Sequence, residues 1–100
     1  MLTAQRTLLV TRGRAQVGGL AEEARELRNA ARLFREQALP TSERLTATAE
    51  AAYRAGEVVI LELLDAYRTA LDAEVEAAEL EQRAREAEIE LTRALGGINR

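Results

Sequence analysis

Ala52-Tyr53-Arg54-Ala55-Gly56-Glu57-Val58-Val59-Ile60-Leu61 is the stretch on which the fold turns. Ala52 to Arg54 continue a helical pattern. Gly56 then supplies the residue best able to enter the left-handed conformation that ends a helix. The β-branched run Val58-Val59-Ile60 is a poor helix interior, because its side chains lose rotamer freedom against the preceding turn. A helix that stops at Gly56 and restarts near Ile60 predicts a reversal between Ala55 and Leu61.

Outward from this point the sequence reads as two arms. Upstream, a 3-4 spacing selects Leu20, Ala24, Leu27, Ala31, Phe34, Ala38, Ser42, Leu45, Ala49 and Ala52. Only Ser42 in that series is polar. The register runs through Pro40, which predicts a kink or local break there rather than a change of direction. Downstream, the same spacing selects Leu63, Ala66, Ala70, Ala73, Ala77, Leu80, Ala84, Ala87, Leu91, Ala94 and Ile98, all apolar. A sustained 3.5-residue repeat favours a left-handed supercoil, and a seam rich in alanine lets backbones approach closely. Each arm of roughly 36 residues extends about 54 Å at 1.5 Å per residue.

A second stripe, Ile60, Leu64, Tyr67, Leu71, Val75 and Ala78, runs beside the seam and turns polar at Gln82 and Arg85. One partner helix cannot cover two stripes, so the pattern predicts self-association into a helical bundle. The fold class is therefore all-α: a long antiparallel helical hairpin or coiled coil over 20–100, with its tip near 55–61. Residues 1–19, with Gly13, Gly18 and Gly19, read either as a weakly helical arm or as a frayed one.

Composition agrees with the pattern. Ala, Leu, Glu and Arg fill 64 of the 100 positions, a mixture typical of long helices. The chain has neither His nor Cys, so the usual zinc, haem, thiolate and imidazole chemistry has no ligands or bases. Ser42, the lone serine, has no histidine to activate it. No enzyme, cofactor or metal site is expected, and Glu74, Glu76, Glu79 and Glu81 read as a solvated helix face.

The formal charge of -3 divides into +4 over 1–35, -2 over 36–60 and -5 over 61–100. The basic third does not point to nucleic acid, because its arginines are interleaved with Glu22, Glu23, Glu26 and Glu36 and lack an aromatic shelf for stacking bases. Folded back near residue 58, the chain brings Arg25, Arg28, Arg32 and Arg35 level with Glu79, Glu81, Glu86, Glu88 and Glu90. No apolar run is long enough to span a bilayer as a helix. Leu8-Leu9-Val10 is too short for a signal-peptide core, so no export signal is read.

Three ordered segments, Ala38-Leu39-Pro40, Ala52-Tyr53-Arg54-Ala55-Gly56-Glu57 and Ile60-Leu61-Glu62-Leu63-Leu64-Asp65-Ala66-Tyr67-Arg68, together with Leu91-Thr92-Arg93-Ala94-Leu95-Gly96-Gly97, carry a family resemblance. The set resembles the TolC family of outer-membrane efflux proteins, most of all its CzcC-like heavy-metal branch, over residues 38–97. In that family three chains form an outer-membrane β-barrel continued by an α-helical tunnel into the periplasm. The resemblance covers only the periplasmic hairpin, since these residues contain no alternating strands for a barrel and no second repeat.

The resemblance implies that the turn Tyr53, Arg54, Ala55, Gly56 and Glu57 docks the helical hairpin of a membrane-fusion adaptor and, through it, an inner-membrane pump. It implies that Glu62 and Asp65 are entrance carboxylates, and that the chain works in the periplasm or outer membrane as a homo-oligomer. Acidic residues in the first turn of a helix also stabilise its N-terminal dipole by about 0.3–1 kcal/mol, which is the plainer account of Glu62 and Asp65. The alternative function is a free-standing coiled-coil oligomerisation module with no transport role.

Overall fold

The computed structural model of the chain describes residues 2–98, and each of these outside 55–59 is helical. Helix α1 runs Leu2–Leu33, a π-helical turn follows at Phe34–Ala38, α2 runs Leu39–Arg54, and α3 runs Ile60–Ile98. No strand occurs among the described residues. The side chain of Ile98, last in the expected second seam, lies outside the description, as do residues 99 and 100.

The described residues group into two compact units, one of residues 2–29 with 81–98 and one of Ala30–Leu80. In the first, residues 2–19 are helical and continuous with the rest of α1. The seam extends upstream of Leu20 through half-buried Val17 and Gly13, in the same alternating steps of three and four. Its most buried side chains are Ala24, at 1% exposure, with Ala84 and Ala87. Arg28 forms an ion pair with Glu88, both partly exposed. A pair of that exposure contributes about 0.2–1 kcal/mol, so apolar contact along the alanine seam is the main source of cohesion.

The second unit is an antiparallel hairpin in which the end of α1, the π turn and α2 run against the first half of α3. Leu63, Ala31 and Ala77 are its buried residues. The register upstream of the reversal differs from expectation at one place. Leu45 is 61% exposed, whereas its neighbour Thr46 is half-buried and donates its hydroxyl to the Ser42 carbonyl at 3.0 Å. The π turn explains the change. Within it the Leu39 N–H reaches back five residues to the Phe34 carbonyl, giving a wider turn than an α-helix. The inward positions accordingly advance by fours, Phe34 to Ala38 to Ser42 to Thr46, before the shorter steps resume at Ala49.

Pro40 stands immediately after this turn, within the first two positions of α2. Its ring would crowd the carbonyl four residues back in a regular helix, and it has no N–H to donate. The wide turn accommodates both defects without ending the helical run.

The reversal itself is closed by backbone atoms. Gly56 has φ +75° and is the one positive-φ residue described. The Gly56 N–H donates to the Tyr53 carbonyl at 3.0 Å and the Glu57 N–H to the Ala52 carbonyl at 2.9 Å. These two bonds form a Schellman cap, which satisfies carbonyls that the end of α2 would otherwise leave without partners. The chain then passes through Val58 and Val59, and α3 begins when the Glu62 N–H donates to the Val59 carbonyl at 3.0 Å.

Candidate functional site

The expected docking residues are brought together at the reversal. Tyr53, Arg54, Ala55, Gly56 and Glu57 are all exposed. Arg54 reaches back to Glu50 at 3.5 Å, while the backbone alone holds the cap. Beyond it, Val59 and Leu61 are exposed as well, Leu61 to 72%. This gives the tip an apolar crest beside a charged rim.

Glu62 and Asp65 lie elsewhere on the surface. Taking 100° per residue, they sit about 90° round α3 from the buried seam, while the second apolar stripe sits about 115° round in the opposite sense. Both carboxylates are exposed and border an open groove of about 710 Å³, whose opposite wall includes Gln37 from the π turn and Thr41, Ser42 and Leu45 from α2. The groove therefore combines two acidic side chains, small hydroxyls and one exposed leucine. Among the described residues, no three His, Cys, Asp or Glu side chains converge as metal ligands.

The stripe on the other flank is open. Ile60, Leu64, Tyr67, Leu71 and Val75 are each between 43% and 60% exposed, and Ala78 is exposed with them. The structure adds a polar contact at its edge that sequence reasoning does not single out. The Tyr67 hydroxyl donates to Glu50 at 3.1 Å. The spacing of Glu50 four residues before Arg54 is a legible signal for an i,i+4 pair, but nothing in the sequence marks Tyr67 as its third member.

Partial burial of the ring, then the hydrogen bond and negative charge of Glu50, raise the Tyr67 phenol above its ordinary range; Arg54 opposes the shift. A raised pKa means that the folded state holds the proton more tightly. Its stabilising contribution is complete below the ordinary phenol pKa and is lost as pH rises through the elevated value. In a Tyr53→Phe background, Glu50→Gln should move the phenolate absorbance transition to lower pH. An unchanged transition would remove Glu50 as a cause.

No helix among the described residues is long and apolar enough to cross a membrane. Compared with protein-family models, curated proteins and solved structures, the chain matches none.

Proposed function

We propose that this chain is the tip-bearing helical hairpin of an outer-membrane efflux channel of the TolC kind, a passive wall segment that docks a membrane-fusion adaptor. The observation that carries the reading is the exposed, backbone-closed reversal at Tyr53–Glu57. It coincides with the Tyr-x-x-Gly segment of the family resemblance, and it leaves the side chains of Tyr53, Arg54 and Glu57 accessible to a partner. In this reading several hairpins assemble side by side with their tips level, and Glu62 and Asp65 line the entrance. The pump is reached through the adaptor, and no reaction is catalysed.

The test is direct binding between this chain and the helical hairpin of an adaptor from the same organism. Tyr53→Ala combined with Arg54→Ala should weaken binding at least tenfold, a loss of about 1.4 kcal/mol, without changing far-ultraviolet circular dichroism. Absence of binding by the unaltered chain, or binding indifferent to both substitutions, favours the coiled-coil module without a transport role.

A further inference from the structure

Leu45 and Thr46 stand in each other's place. Ordinary helical turns continued from Phe34 bring Leu45, the more apolar of the two, into the seam and put Thr46 outside it. In the structure Leu45 is instead 61% exposed, on the flank of α2 that faces the acidic groove, while Thr46 is half-buried. We infer that Pro40 and the π turn act as a register lock, holding α2 about one residue, roughly 100°, round its axis from a second setting that its apolar residues favour. This depends on packing within one hairpin, so it holds whether or not the chain is an efflux segment, and the tip stays at the same end in both settings.

The lock is local and chemical. Pro40 offers no N–H, and in regular α-helix its ring collides with the Glu36 carbonyl. The wide turn, closed from the Leu39 N–H to the Phe34 carbonyl, relieves that collision and in doing so absorbs one extra residue. Beyond the turn α2 is uninterrupted α-helix to Arg54, so it rotates as one piece. Without the extra residue, Leu45, Ala49 and Ala52 fall on the inward line that the 3-4 pattern specifies.

No cross-arm hydrogen bond among the described residues holds Thr46 inward. Its hydroxyl donates to the Ser42 carbonyl of its own helix at 3.0 Å, a bond that survives either setting. Two other features do depend on the setting. Leu45 belongs to the groove wall beside Glu62 and Asp65 only while it points outward, so Pro40, which does not line the groove, shapes it from a distance. On the other flank, Glu50 accepts the Tyr67 hydroxyl at 3.1 Å, and a rotation that carries Leu45 inward carries Glu50 out toward solvent and away from Tyr67. One turn of helix thus sets both the groove and the cluster of Glu50 with Arg54 beside the tip.

Pro40→Ala tests the lock directly, since it removes the ring and supplies an N–H while favouring helix. In a Tyr53→Phe background it should move the Tyr67 phenolate transition to lower pH, the direction expected of Glu50→Gln, with helical content by circular dichroism unchanged. Because the chain has no cysteine, Leu45→Cys and Thr46→Cys chains report the register by their rates of alkylation. With Pro40 present the thiol at 45 should react about fivefold faster than the thiol at 46, and Pro40→Ala should invert the order. Exchanging the two contenders, Leu45→Thr with Thr46→Leu, removes the apolar preference for the second setting. Added to Pro40→Ala, the exchange should return the Tyr67 transition to its position in the parent chain. A Pro40→Ala chain with an unchanged transition and an unchanged order of reactivity overturns the lock, because packing alone then sets the register. A transition that stays low after the exchange overturns the second setting, because Leu45 is then not what draws the helix round.

Discussion

Ala77→Asp should destabilise the protein by about 3 kcal/mol or more, a large fraction of the roughly 5–15 kcal/mol available to a small domain. Ala77 is 3% exposed, and no polar or charged side chain is buried among the described residues. A carboxylate placed there finds no partner, so it must be desolvated unpaired, take up a proton or force the helices apart. Burial raises its folded-state pKa, so the folded variant binds the proton more tightly than the unfolded one. The deficit should therefore be largest near neutrality, shrink as pH falls through the raised folded-state value, and level off below about 4, where the unfolded state is protonated too. Ala47→Asp, at an exposed position of α2, should change stability by no more than about 0.5 kcal/mol. Urea unfolding followed by circular dichroism, at one protein concentration, measures both. Equal midpoints for the two variants would show that the alanine seam is not the core.

What is legible in the sequence is what depends on period and on local backbone chemistry. The seam from Leu63 through Ala94 is buried or half-buried throughout, because every step of its 3-4 pattern lies in uninterrupted α-helix. The upstream seam is legible up to the π turn and misread once beyond it. The sequence offers Leu45 as the inward residue, being more apolar than Thr46. The i→i−5 bond at Leu39 instead widens one turn and brings Thr46 inward. Pro40 signals a local irregularity, but proline alone does not specify whether the chain kinks, breaks or widens. The Arg–Glu complementarity is legible as a zone, of which Arg28–Glu88 is a realised member; side-chain rotamers, not spacing, decide which members pair.

The candidate site divides the same way. Gly56 and the open stripe are both readable, the first from its backbone freedom and the second as surplus apolar positions. The groove holding Glu62 and Asp65 is not, because it needs Thr41, Ser42 and Leu45 from the opposite arm. Its geometry bears on the two accounts of those carboxylates. Glu62 stands in the first turn of α3, where it suits the helix dipole. Asp65 lies beyond that turn, where the dipole effect has faded, yet it borders the same groove. The dipole therefore accounts better for Glu62 than for Asp65, and the entrance reading retains its strongest physical argument in Asp65.

The reversal should respond to substitution in an order set by backbone conformation alone. At Gly56, φ is +75° and a β-carbon added to the backbone meets no atom within 4 Å. Crowding therefore contributes nothing, and the cost of a replacement is that of holding an L-residue in the left-handed region. Gly56→Ala should cost about 1–2 kcal/mol. Gly56→Asn should cost a fraction of that, since asparagine tolerates this conformation. Gly56→Val should cost most, about 2 kcal/mol or more, because β-branching narrows the allowed backbone further. If valine instead relaxes to negative φ, the two cap bonds from Gly56 and Glu57 are lost, at a comparable cost of about 0.5–1.5 kcal/mol each. Urea midpoints should therefore fall in the order Gly, Asn, Ala, Val, with little change in helical content below the transition. Coincident midpoints for glycine and valine would mean that the reversal does not need the left-handed residue, and the cap would then be a consequence of packing between α2 and α3 rather than its cause.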